Sequence, residues 1–231
     1  MKIEIVVAYN TQVDMTKEFL DKMQESLRVT EHTVGCILVH GYVDNEEDIE
    51  HHFITKFIKL KNDGFCKTLN AGLMQVSDDT DYIFMVGNDS FPLEQGWLDK
   101  LVKAHAQFYA DGIISPLATN PPEKAFKHLF VGESTPEYHY ANFFPSIAWL
   151  FSKKLLDEVG YLDERFTGAG YYADNDYCKR VQEKYNDWGV IVVRGVVLEH
   201  RLSQEGKALK VTNQMAHNQK QFNEKWYGDK K

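Results

Sequence analysis

The sequence predicts an α/β protein built on a mostly parallel, doubly wound sheet. Three observations carry this. Apolar, β-rich runs alternate with helical stretches from Lys2 to Pro116; most intervals between strands are long enough for the helix a parallel crossover needs; and polar residues gather at 9–12, 41–45, 61–64 and 88–90, where strands end. Ligands of open α/β sheets bind in the crevice at those carboxyl ends.

Lys2–Ala8, with a charge inside its apolar run, reads as the first strand and not as a signal peptide. A helix over Asp14–Leu27 places Phe19, Leu20, Met23 and Leu27 at helical spacing. Thr33–His40 is a short buried strand and Ile54–Leu60 another, with imperfect alternation. A helix over Phe65–Val76 leads to the strand Asp81–Gly87, and a helix over Gln95–Phe108 puts Trp97, Leu98, Leu101 and Val102 on one side. Gly112–Pro116 is the next strand. Residues 117–145 hold four of the six prolines and read as long loops with room for a hairpin, a stretch that suits a functional rim. Ser146–Ser152 is strand-like, Lys153–Val159 and Asp174–Lys184 are helices, and Trp188–Val193 and Val196–Glu199 are late strands. A closing helix over Val211–Tyr227 has a thin apolar stripe of Val211, Met215, Phe222 and Trp226.

With 231 residues, 43% hydrophobic and 13% aromatic, the chain suits one domain with a substantial core. We expect three parts within it: residues 1–92, residues 93–205, and 206–231 as a basic helix or tail. No stretch approaches the roughly 20 apolar residues of a membrane span. Cys36, Cys66 and Cys178 are odd in number and lack metal spacing, so reduced thiols and a cytoplasmic setting are expected. Residues 201–231 hold seven Lys/Arg against three Asp/Glu, a net of +4, which leaves −12 on residues 1–200. So acidic a body argues against general nucleic-acid binding. The basic tail (Lys207, Lys210, Lys220, Lys225, Lys230, Lys231) suits either a solvated terminal helix or a local anionic ligand.

Four segments carry chemistry. Tyr82–Gly87 breaks into Asn88-Asp89-Ser90, so a carboxylate and an amide sit at a strand's carboxyl end. Asp89 there suits a hard divalent cation, Mg²⁺ or Mn²⁺, on a diphosphate, with Asn88 and Ser90 near waters, ribose or phosphate. The same three residues equally suit an Asx turn. His200 ends the strand after Glu199 and suits a second, borderline-metal ligand or a structural hydrogen bond. The other eight histidines show no companion pattern and read as surface residues. Asp174, in Ala173-Asp174-Asn175-Asp176, opens a helix as a general base or as its cap. The helix dipole would keep it ionised and only mildly basic, and Asp176 would orient neighbouring loops. Gly168-Ala169-Gly170 reads as a mobile approach for an acceptor. Asn62-Asp63-Gly64 turns into a helix N-terminus that offers N–H groups to an anion or nucleobase edge. No P-loop and no GxGxxG is present.

In this order the segments resemble the family-2 glycosyltransferases of the GT-A fold, over about residues 1–205. Ile5–Asn10 looks like the opening strand, and Asn62–Gly72 like N-x-G-F…N-x-G. Asn88-Asp89-Ser90 stands at D-x-D, Glu94–Leu98 at P-G-W-L, Val159–Phe166 at G-x-F-D-E-x-F, Ala173–Asp176 at E-D-x-D, and His200 at the late metal-binding histidine. The resemblance implies that Tyr9, Asn10 and Asn62, with Gly64, Asn70, Asn88 and Asp176, serve the substrate, that Asp89 and His200 hold Mn²⁺ or Mg²⁺, and that Asp174 is the base of an inverting transfer. Three departures stand out. Asn88 replaces an acid, Ala173 replaces an acid, and the second-strand D-N/D-G-S is absent, which leaves Asp44 for the base-binding role.

The expectation is therefore an inverting, metal-dependent hexosyltransferase. Its donor would be a nucleoside diphosphate sugar, UDP-linked by preference, and its acceptor the hydroxyl of a glycan, a protein or a modified DNA base. The loop 117–145 with Trp149, or Tyr171 and Tyr172, would shape the sugar pocket, although Trp149 also suits the core. The alternatives are a catalytically degenerate GT-A binding module, a retaining transferase and a sugar-phosphate nucleotidyltransferase.

Overall fold

The computed structural model describes residues 1–43, 47–108, 112–185, 189–201 and 212–228. Six helices follow in chain order among them: α1 Val13–Ser26, α2 Phe65–Leu73, α3 Trp97–Phe108, α4 Lys153–Val159, α5 Ala173–Tyr185 and α6 Thr212–Tyr227. The strands are β1 Lys2–Tyr9, β2 Thr33–Tyr42, β3 Ile54–Lys61, β4 Tyr82–Gly87, β5 Ser90–Pro92, β6 Ile113–Ala118, β7 Phe130–Val131, β8 Tyr138–Ala141, β9 Ala148–Ser152 and β10 Val190–His200. They form one sheet in the order β3-β2-β1-β4-β9-β6-β10-β8-β7, with β5 added to β10.

The first half is parallel throughout, β2 and β4 flanking β1 and β3 pairing with β2. Central β1 and β4 are buried on both faces, so they read as continuous apolar runs; β3 at the edge alternates half-buried and exposed positions. Ile3, Ile5 and Val7 face one layer with Phe19, Leu20 and Met23 of α1 and with Trp97, Leu98 and Leu101 of α3. Val6 faces the other, with Cys66 and Leu69 of α2, Leu155 of α4, and Tyr177 and Val181 of α5. Helices on both faces are what the sequence predicts. α2 lies close because Gly72 has no side chain: a Cβ there would stand 2.7 Å from Val6 and 2.8 Å from Val39.

The second half mixes directions. β9 runs antiparallel between β4 and β6, whereas β6 and β10 are parallel. The two late strands expected around Gly195 are one strand, β10, whose register shifts between Val193 and Val197. A bulge absorbs the irregular residues without breaking the pairing. Trp188 and Val211, expected to start elements, lie outside the described residues. The proline-rich stretch contains a 3-10 turn over Glu123–Leu129 and the small hairpin β7–β8. Of the histidines expected at the surface, His40, His105 and His139 are buried. Each has a polar partner close by, which is how a buried imidazole avoids a desolvation cost: Asp48 for His40, Tyr82 for His105, and Ser134 with Glu123 for His139. Cys36, Cys66 and Cys178 are buried free thiols. Among the described residues no helix is long and apolar enough to cross a membrane.

Candidate functional site

A cleft of about 660 Å³ opens at the carboxyl ends of β1 to β4. Asn10, Asn62, Gly64 and Asn88 line it from the parallel half. Asp89, Asp174 and His200 line it too, so residues from five distant segments meet in one place.

Asp89 and His200 are brought together by strand pairing. β5 runs antiparallel to the end of β10, with Ser90 opposite His200, and the Arg201 N–H donates to the Asp89 carbonyl at 2.9 Å. The next turn is locked as well. The Arg201 guanidinium donates to both carboxylate oxygens of Glu18 on α1, at 2.7 and 2.9 Å, and lies 4.0 Å from the Phe91 ring centroid. That pairing, with Lys22 beside it, holds the Glu18 carboxyl down to about 2. The Asp89 Oδ2 and His200 Nε2 then stand 3.4 Å apart.

The His200 Nδ1–H donates to the Asn120 carbonyl, so the neutral ring presents the Nε2 lone pair to the cleft. Burial favours that neutral form, yet the Asp89 carboxylate outweighs it and holds the imidazole pKa above its ordinary value. A carboxylate oxygen and an imidazole nitrogen this close fit a shared divalent cation. Among the described residues no group of three or more His, Cys, Asp and Glu side chains is arranged to hold a metal ion by itself. The remaining positions around a cation would fall to phosphate oxygens and water, the usual arrangement for Mg²⁺ and similar ions. Asn88 is turned away from such duty: its Nδ2 donates to Thr16 Oγ1 of α1 at 2.9 Å. Ser90 is fully buried, its hydroxyl against Asp89 Oδ1 at 3.4 Å.

Asp174 sits in the first turn of α5 and receives the Asn175 N–H at 2.9 Å. The helix dipole does not keep its pKa low, as its position suggests. Burial pushes the carboxyl up to about 6, against the opposing effect of the Asn175 and Ser146 N–H groups. Its position at the inner wall of the cleft decides this, because the charged form loses water there.

Three expected substrate residues belong elsewhere. Tyr9 is fully buried and stacks on His40 at 4.3 Å, and its hydroxyl meets the backbone of residues 47 and 49. The alternation of β1 points it into the core layer under α1. Asn70 bonds the Leu162 backbone at both its N–H (3.0 Å) and carbonyl (2.9 Å), and reaches Glu164. It ties α2 to the 162–164 turn and does not line the cleft. Asp176 is fully buried, with Arg180 at 3.0 Å, Lys225 at 2.6 Å and the Trp226 indole N–H at 2.9 Å. It holds α6 against α5. Asp44 lies outside the described residues, as do Lys207, Lys210, Lys230 and Lys231. The 117–145 stretch sends only Pro145 to the cleft, and Trp149 packs in the core against Tyr177 at 5.9 Å. Tyr171, by contrast, lines the cleft and is well exposed.

The N-terminus of α2 offers less than expected, since the Phe65 N–H already donates to the Gly168 carbonyl at 2.7 Å. That bond also restrains the segment 168–170. Asn218 of α6, fully buried, accepts from the Thr167 N–H and donates to its carbonyl, both at 3.0 Å. The glycine segment is thus a clamped wall and not a free approach. Gly168 and Gly170 have φ of +63° and +70°, and Tyr172 adopts +72° despite its side chain. Sequence reasoning missed α6 altogether as a cleft element. Its Gln214 lines the cleft, as do Tyr42 and Lys61 at the ends of β2 and β3. The latter two were legible as strand-end positions; Gln214 gave no signal.

No protein-family model matches the chain, and no curated protein matches it. Solved structures do. A mannosyltransferase from Pyrobaculum calidifontis, in complex with GDP-Man and Mn²⁺, superposes with a TM-score of 0.73 at 16% identity, over 99% of this chain and 65% of that one. GalNAc-T7, with UDP, GalNAc and Mn²⁺, gives 0.77 at 10% identity, over 99% and 48%. S. aureus TarS residues 1–349, in complex with UDP-GlcNAc, gives 0.65 at 14% identity, over 90% and 61%. The chain thus spans about half to two thirds of the length of these structures. Likeness at such low identity establishes the architecture, and that architecture is the GT-A fold.

Proposed function

We propose that this chain is an inverting, metal-dependent glycosyltransferase that moves a hexose from a nucleoside diphosphate sugar, UDP-linked by preference, to an acceptor hydroxyl. The observation that carries this reading is the meeting, in one cleft, of the Asp89–His200 pair with Asp174, a carboxyl whose pKa is pushed up to about 6. The neighbours bound to GDP-Man or UDP and Mn²⁺ support it through a shared fold.

Asp89 and His200 would hold Mn²⁺ or Mg²⁺, which supplies positive charge to the departing diphosphate. Asn10 and Asn62 line the nucleotide side, and Gly64 lets the Asn62 side chain cap the turn at 2.9 Å. Asp174 takes the acceptor hydroxyl's proton as that oxygen attacks the anomeric carbon and the bond to the diphosphate breaks. A base near 6 is ionised at neutral pH and stronger than an ordinary aspartate, which suits the task. In this reading residues 1–92 form the nucleotide half and 93–205 the acceptor half.

Thermal stability against UDP, GDP, CDP and dTDP, each with and without Mn²⁺, tests the proposal. A ligand at about 100 times its dissociation constant stabilises by about 2.7 kcal/mol. The expected result is a shift with one nucleotide that requires Mn²⁺ and vanishes in Asp89→Ala. A shift without turnover on any acceptor favours a degenerate binding module, and no shift with any nucleotide removes the transferase reading. Inversion is checked separately, from the anomeric configuration of the product.

A further inference from the structure

Gln214, in the first turn of α6, carries a feature the donor site does not yet use. Its Oε1 is buried and has no hydrogen-bond partner among the described residues, and the side chain lines the cleft. A buried carbonyl oxygen left unpaired is costly, so such a group is retained where something else satisfies it.

The surroundings hold the amide in place. It rests on Gly168, where any Cβ would overlap the Gln214 carboxamide. One turn further along α6, Asn218 clasps the Thr167 backbone. At the far end of the helix, Lys225 and Trp226 are anchored on Asp176. Gln214 is therefore packed into the cleft wall and not a stray surface side chain.

Its position selects its ligand. The Gly168 carbonyl caps α2, which follows the nucleotide-side loop Asn62–Gly64, and six residues after Gly168 comes the base, Asp174. A sugar being transferred must lie between its diphosphate and the base-activated acceptor. A side chain resting on Gly168, whose own carbonyl holds the start of α2, stands beside that path.

We infer that Gln214 is a specificity-determining residue whose carboxamide accepts a hydrogen bond from a hydroxyl of the donor's sugar ring. This rests on the donor-site reading above. A site built to bond a hydroxyl rejects an analogue lacking it, because the site's own polar group is then left unpaired.

The test is equilibrium binding, with Mn²⁺ present, of UDP and GDP against UDP-glucose, UDP-galactose, UDP-GlcNAc and GDP-mannose. It is run on the full chain, on Gln214→Ala and on Gln214→Glu, with the melting temperature of each. One lost hydrogen bond predicts that Gln214→Ala weakens the preferred sugar nucleotide about tenfold, flattens discrimination among the sugars and leaves the bare diphosphate unchanged. Gln214→Glu keeps an acceptor oxygen and should retain part of the preference, which also covers the case of an unstable alanine variant. Equal losses for the sugar nucleotide and the bare diphosphate, or no loss, overturn the assignment. A wild-type chain that binds the diphosphate but gains nothing from any sugar overturns Gln214 alone. One that binds neither overturns the donor-site reading with it.

Discussion

Replacing Asp176 by alanine should loosen α6 without touching the reacting groups. Asp176 is fully buried and holds three donors: Arg180 at 3.0 Å, Lys225 at 2.6 Å and the Trp226 indole at 2.9 Å. Removing one partner of a buried ion pair costs about 3–5 kcal/mol, because the other charge stays behind unpaired. Here the cations keep some relief. The Lys225 and Arg180 side chains are 21% and 20% exposed, and Lys225 retains Asp163 at 2.8 Å. The lower end, about 3 kcal/mol, is therefore expected. For a chain of 231 residues that corresponds to a fall of about 6–12 °C in melting temperature. Asp176→Asn, which keeps an acceptor for the indole, should fall between the alanine variant and the wild type. Calorimetry reads the loss, and limited trypsin digestion at Lys220 and Lys225 reads the release of the helix. If Asp176→Ala melts with the wild type while nucleotide affinity collapses, Asp176 is a ligand residue and the structural reassignment fails.

Asp174 should give opposite effects on activity and stability. Its pKa is raised from 3.8 to about 6 by burial, so its stabilising contribution is present below 3.8 and lost as pH rises through about 6. Asp174→Asn should melt higher than wild type at pH 7.5 and level with it at pH 3.5, and turnover, which in the wild type rises with pH through about 6, should vanish. Glu4 runs the other way. It is buried, and although burial opposes ionisation, the Ser77 N–H at 2.6 Å and the Thr80 hydroxyl at 2.7 Å hold its pKa below 4.5. Its stabilisation is therefore present above 4.5 and lost as pH falls through the lower folded value. Urea unfolding should show Glu4→Gln about 1–3 kcal/mol less stable at pH 7, with the gap closing in acid. Gly168→Ala forces an L-residue to a φ of +63° against Gln214. It should cost at least about 1–2 kcal/mol and disturb nucleotide-sugar binding; unchanged melting and binding would contradict the clamped wall.

The strand runs and helical stripes of residues 1–108 were legible because period and burial act locally. Val6 and Val7 fall on opposite faces of β1 whatever surrounds them, and a strand ending at Gly87 must present Asp89 near the sheet's carboxyl edge. The chemistry of that edge followed from residue types, and the choice of Asp89, Asp174 and His200 from those types together with the family resemblance. What the chain alone could not give was which polar residue meets which. Asn70, Asp176 and Tyr9 carry the same groups as the cleft residues, yet contacts with Leu162, Lys225 and His40, from 31 to 92 positions away, absorb them. The Asp89–His200 pairing needed the antiparallel docking of β5 on β10, and the raised pKa of Asp174 needed the cleft wall that strips part of its water. α6 shows the division most clearly. Its sequence determined a helix with a thin apolar stripe, but only packing against residues 163–176 turned Gln214 toward the cleft, because a helix's facing is set by the surface it buries against and not by its own period.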